Sequence, residues 1–182
     1  MGGIYFHIPF CRHKCLYCNF FSVANTSQTG RVVAAMRREL AERRKDWPDN
    51  DIRTVYFGGG TPSVLPADDI AAILEDVRSS FSTAQDMEVT LEANPDDVSA
   101  EKVRMWRAAG VNRVSLGVQS FDTATLAAIG RRHSGNDALR AVGKLHRGGF
   151  ENITLEVSPD GSVSFRISFT FSLICTKRCT RM

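Results

Sequence analysis

The sequence has no apolar stretch long enough to cross a bilayer, which excludes a helical membrane span. Residues 1–10 lack a basic start and a cleavage site, so no secretory leader is expected. The expected setting is cytoplasmic, where thiols stay reduced and clustered cysteines point to metal or redox chemistry rather than disulfides. Charge of one sign is also scarce. A net +3 over 182 residues gives no footing for nucleic acid or an anionic membrane surface. The basic run Arg37–Lys45 alternates with acids at helical spacing and reads as a solvated helix face. A second C-x2-C knuckle is missing, so the paired-knuckle pattern of structural zinc is not supplied. What is present is ordinary globular material: 43% apolar residues, in a length that suits one domain.

Three of the five cysteines stand close together, as Cys11, Cys15 and Cys18, spaced C-x3-C-x2-C. On one short loop all three thiols can turn inward. They suit three corners of an iron–sulfur cube and leave the fourth iron without a protein ligand. A structural zinc site is the rival reading, and inert buried thiols are a third. His13 sits between two of the cysteines, where ligation is geometrically awkward, and Cys175 and Cys179 lie far downstream with different spacing.

The periodicity alternates. Residues 3–8, 53–57, 87–92, 112–117 and 152–157 read as strands, the second stopped by three glycines. Residues 28–46, with Val32, Val33, Met36 and Leu40, and 67–81, with Ile70, Ile73, Leu74, Val77 and Phe81, read as helices. Ser99 and Asp122 are predicted N-caps, with Gly110 and Gly130 as stops, and a further helix is expected from Asn136 to Arg147. This order predicts an α/β fold with a parallel sheet. The distinctive residues all fall at the ends of strands, where α/β barrels carry their sites. Periodicity alone does not choose between an open sheet and a barrel.

Four segments occur in sequence: Tyr5-Phe6-His7-Ile8-Pro9-Phe10-Cys11, Gly58-Gly59-Gly60-Thr61-Pro62, Leu91-Glu92-Ala93-Asn94-Pro95 and Ser115-Leu116-Gly117-Val118-Gln119-Ser120-Phe121. Together they resemble the radical S-adenosylmethionine (radical SAM) superfamily, and within it the oxygen-independent coproporphyrinogen III oxidase-like family, over residues 3–155. The resemblance implies a partial (β/α)6 TIM-like barrel, C-terminally incomplete. It implies a [4Fe-4S] cluster on Cys11, Cys15 and Cys18 and S-adenosylmethionine on the open iron, cleaved reductively. It places contacts to that cofactor at Tyr5, Tyr17, Gly59, Gly60, Thr61, Glu92, Gln119 and Arg131. Glycines at 58–60 admit close backbone approach. Glu92 can accept from ribose hydroxyls and Arg131 can fork onto a carboxylate. Each has a bland counterpart: a tight turn for the glycines, a rim salt bridge for Glu92, a satisfied core histidine for His7. Arg132 and Lys144 match no motif and read as solvated.

Two departures from the family matter. Its decarboxylating oxidases carry a further cysteine two residues after the third ligand, where this chain has Phe20. That places it with the heme-chaperone branch, whose implied partners are heme or porphyrin, an electron-donor protein and a heme-acceptor protein, with heme bound in a full-length relative. The decarboxylase and a non-catalytic zinc module remain the alternatives. Beyond Leu155 the chain leaves the family pattern, with Glu156 at the position of a cofactor-contacting Asp. The core is therefore assigned to 1–157 and a non-family tail to 158–182. Val157-Ser158-Pro159-Asp160 can be coded so that the neighbouring frame reads Gly-Ile-Pro-Gly, the family's turn, which suggests a frameshift. Residues 163–173 alternate apolar and polar and suit a strand whose free edge invites aggregation. A part-barrel is expected to expose an apolar floor and to be marginally stable or insoluble.

Overall fold

The computed structural model describes residues 2–16, 18, 21–47 and 51–157, with the backbone of 165–170. Tyr17, Phe20, Cys175 and Cys179 lie outside the described residues. Strands β1 (Gly2–Ile8), β2 (Asp51–Gly59), β3 (Ser82–Ala93), β4 (Arg113–Gln119) and β5 (Asn152–Val157) alternate with helices α1 (Thr29–Arg43), α2 (Ala67–Ser80), α3 (Ala100–Ala109), α4 (Thr123–Ala128) and α5 (Gly135–Arg147). One sheet runs β1-β2-β3-β4-β5 in chain order, all parallel. The tail adds β6 (Phe165–Thr170), antiparallel to β5. Most of the predicted tail strand, residues 163–173, is thus present, and it takes the sheet edge.

Local chemistry accounts for the element limits. Ser99 accepts from the Lys102 amide and Asp122 from the Thr125 amide, which supplies partners for otherwise orphaned N–H groups. Gly110 closes α3 at φ 100°, a left-handed turn that favours glycine. Ser134 and Asp137 form a reciprocal capping box that starts α5 one residue earlier than the sequence suggested. β2 does not stop before the glycines. It continues through Gly59 because Gly58 and Gly59 stand in register with His7 and Ile8.

Register sorts the strands into two faces. Phe6, Phe57, Leu91, Val114 and Ile153 form one cross-strand row and all are buried in the core with α2, α3 and α5. The adjacent row reads Tyr5, Tyr56, Thr90, Arg113 and Asn152, and the next includes Glu92, Ser115 and Thr154. The helix-covered face is therefore apolar and the opposite face is polar. This corrects the expectation of an exposed apolar floor. That expectation treated the strands as buried on both faces, whereas their residues alternate with period two.

Candidate functional site

Cys11 leaves the end of β1 buried, while Cys15 and Cys18 are half-buried. The loop is pinned at its base: Val23 N–H donates to Pro9 O (2.8 Å) and Cys11 N–H to Val23 O (3.0 Å). Arg12 pairs with the buried Asp97 at 3.1 Å, and Asp97 also accepts from the Ser63 hydroxyl at 2.8 Å. Lys102 donates to Ser63 O at 2.6 Å, and burial pushes its ammonium pKa down. The turns after β1, β2 and β3 are thus tied into one block. The Thr61 hydroxyl lies 3.4 Å from Cys11 Sγ and donates to it. Among the described residues no three His, Cys, Asp or Glu side chains converge on a single-ion position.

The glycines at the end of β2 are required by protein neighbours as well as by any ligand. A Cβ at Gly58 would lie 2.7 Å from the Tyr56 ring, and one at Gly59, whose φ is 110°, 2.7 Å from the His7 ring. At Gly60 it would meet the Phe10 carbonyl at 2.6 Å. That close approach lets Gly60 N–H donate to Ile8 O (2.8 Å) and Thr61 N–H to Phe10 O (2.7 Å), joining the strand end to the cysteine loop. Glu92 is held at both oxygens. Tyr56 O–H donates to one at 2.6 Å and Gly59 N–H to the other at 3.1 Å. Tyr5 stacks on Tyr56, and burial, then the Glu92 charge, push its phenol pKa up. His7 meets the Tyr5 hydroxyl at 3.2 Å and Phe21 O at 3.4 Å, partnered but half-buried rather than a core histidine.

Gln119 ends β4 at φ 68°, left-handed and buried. Ser120 N–H donates to Val118 O at 2.9 Å, so Gln119 is the centre of a γ-turn. Such backbone costs about 1–3 kcal/mol and persists where the surroundings enforce it. The same Val118 carbonyl accepts from buried His133 Nε2–H at 3.0 Å. Arg131 donates to Asn94 Oδ1 at 2.6 Å, and the Ser115 hydroxyl to Glu156 at 2.9 Å.

A cavity of about 290 Å³ opens among these strand ends. Tyr5, Gly59, Gly60, Thr61, Glu92, Gln119 and Arg131, every predicted cofactor position among the described residues, line it together with Cys18. Asn94, Ser115, Gly117 and Glu156 line it too. Of these, Asn94, Ser115 and Gly117 belong to the family motifs, which alone assign them no role. Ser115 was findable, because Ser115, Gly117 and Gln119 alternate along one face of β4. A larger hollow of about 490 Å³ follows β1 and α1 and holds no predicted site residue except Tyr5. One reading of a solvated side chain needs correction: Lys144 donates to Val98 O at 2.9 Å from a half-buried position, whereas Arg132 is exposed as expected and pairs with Asp96 at 3.3 Å. Both close onto the turn after β3, a contact that sequence spacing does not reveal.

A parallel α/β sheet with three cysteines and a cavity at the C-terminal rim of its strands has the layout of part of a (β/α) barrel. Residues 5–158 match the sequence model of the radical SAM superfamily, and the chain belongs to that superfamily. It is 41% identical over 156 residues to heme chaperone HemW of Lactococcus lactis subsp. lactis (strain IL1403), covering 86% of this chain and 40% of the relative. Heme chaperone HemW of Bacillus subtilis (strain 168) is 36% identical over 159 residues, with 86% and 42% covered. The chain thus spans about 40% of the length of these relatives. The solved structure of coproporphyrinogen III oxidase (HemN) from Escherichia coli, a radical SAM enzyme, superposes with a TM-score of 0.78 at 24% identity, over 85% of this chain and 36% of that one. The fold is accordingly part of a TIM-like radical SAM barrel.

Proposed function

We propose that residues 2–157 form the cluster- and S-adenosylmethionine-binding portion of a heme-chaperone-type radical SAM protein, with Cys11, Cys15 and Cys18 as the cluster ligands. One observation carries the reading: the predicted cofactor positions meet in a single cavity beside Cys18. Bound there, the cluster and S-adenosylmethionine would supply one-electron chemistry that side chains cannot.

The chain's own residues supply position. Tyr56 and the Gly59 amide orient Glu92, whose carboxylate is an acceptor for ribose hydroxyls. Gly59 and Gly60 present backbone to the methionyl group, and Arg131 offers a guanidinium to its carboxylate. Thr61 donates toward Cys11. The chaperone reading is supported by the similarity to HemW and by Phe20 standing where the decarboxylases have a cysteine. On this reading the whole protein binds heme or porphyrin, takes electrons from a donor protein and passes heme to an acceptor protein in a reducing, cytoplasmic setting. Residues 158–182 are assigned outside the family core, whose match ends at residue 158, and a shift of reading frame accounts for the change.

Anaerobic reconstitution tests the site. About four irons and four sulfides per chain are expected, with a paramagnetic resonance spectrum of the reduced protein that changes on adding S-adenosylmethionine. One zinc per chain and no iron would overturn it.

A further inference from the structure

Three hydrogen bonds run in one direction from the cavity wall to the cysteine loop. Arg131 Nη1 donates to Asn94 Oδ1 at 2.6 Å. Asn94 Nδ2 donates to Thr61 Oγ1 at 3.3 Å. Thr61 Oγ1 donates to Cys11 Sγ at 3.4 Å.

The polarity of this chain follows from donor inventory. A guanidinium has no acceptor, so the Asn94 atom facing Arg131 must be the carbonyl oxygen. That turns the Asn94 NH2 group toward Thr61. An amide NH2 cannot accept, so the Thr61 oxygen receives it, and the hydroxyl's single proton is left for the sulfur. Both Thr61 and Cys11 are buried, so water competes poorly at the last link. The geometry is also held from behind. Asn94 N–H donates to Ser63 Oγ at 3.3 Å, and Ser63 is fixed by Asp97. Thr61 is fixed through its amide on Phe10 O. Serial hydrogen bonds of one polarity strengthen one another in a low-dielectric site.

From this we infer that Asn94 and Thr61 are positioning residues that carry donation from Arg131 to the sulfur of Cys11 and so set the potential of the metal centre held there. The inference rests on Cys11 being a cluster ligand. Hydrogen bonds to ligand sulfur favour the more negative, reduced state and raise the reduction potential. Because Arg131 and Asn94 also line the cavity, an anionic group bound at Arg131 competes for the guanidinium and weakens the far end of the relay. The cavity's contents and the cluster's potential are thereby coupled through three side chains.

The test is a redox titration of the reconstituted protein, followed by paramagnetic resonance without S-adenosylmethionine. Thr61→Val keeps the shape and removes the proton, and Thr61→Ser restores it. The valine variant is expected to lower the midpoint by a three- to tenfold shift in the reduction equilibrium, ~30–60 mV for a one-electron couple. The serine variant should stay at the wild-type value. Asn94→Ala, which leaves the Thr61 hydroxyl and all three thiols in place, should move the midpoint the same way by less, and it serves if Thr61→Val fails to assemble. A four-iron wild-type centre whose midpoint is the same in the assembled variants overturns the relay alone. A wild-type protein that binds no iron removes the cluster reading beneath it.

Discussion

His133 has no part in the cavity wall, yet it fixes the carbonyl on which the Gln119 turn closes. Burial, the largest cause, pushes its pKa down, and the Arg131 charge adds to this against the Val118 hydrogen bond. A histidine depressed in the folded state binds its proton more readily when unfolded. Stability is therefore full above the unfolded value near 6.5 and falls as pH drops through it toward the lowered folded value. Thermal midpoints measured from pH 8 to pH 5 should fall in the wild type. The fall should be shallower in His133→Gln, which keeps a neutral donor, and equal slopes would show that this histidine is not the sensor. The carboxylate of Asp137 behaves differently. The Ser134 hydroxyl, foremost, holds it down to about 2, so the α5 cap stays intact throughout that window.

At the scale of elements, α5 is seated by a glycine. A Cβ at Gly135 would lie 2.2 Å from the Phe121 carbonyl, a backbone atom that cannot swing aside. Gly135→Ala should cost about 1–3 kcal/mol in urea unfolding. Gly30→Ala, in α1 with open space around it, should gain up to about 1 kcal/mol. Similar changes at both sites would show that contact at α5 is not the cause. The elements themselves were legible because their signals are local: the Ser99 and Asp122 caps, the Gly110 stop and the apolar stripe of α2. What escaped depends on tertiary pairing. β3 starts at Ser82 rather than 87 because Ser82 and Thr83 pair with Asp51 and Ile52. β2 outruns its glycines because β1 lies alongside. Within the site, residue types and motif order placed Glu92, Gln119 and Arg131. They gave no hint of the partners that hold them: Tyr56 on Glu92, Asn94 on Arg131 and a γ-turn at Gln119.

For the whole molecule, the polar inner face changes the balance expected of a part-barrel. The cost of leaving it uncovered is set by hydroxyls, amides and charges that water can solvate, not by roughly 25 cal/mol for each Å² of hydrocarbon. The liability moves to the strand edges. β6 pairs with β5 alone among the described strands, so a chain ending at Val157 should keep the helical circular dichroism signal and a cooperative melt. Opening the β5 edge should make light scattering rise with concentration faster than for the longer chain. Loss of the helical signal on shortening would instead make the tail part of the folded unit.

Sheet order follows chain order without a single exchange from β1 to β6. From β2 onward each new strand therefore finds its docking template already made. A nascent chain can lay this sheet down one strand at a time as it leaves the ribosome. The thiols at residues 11–18 emerge ahead of β2 to β6 and must stay reduced until those strands complete the walls of their chamber.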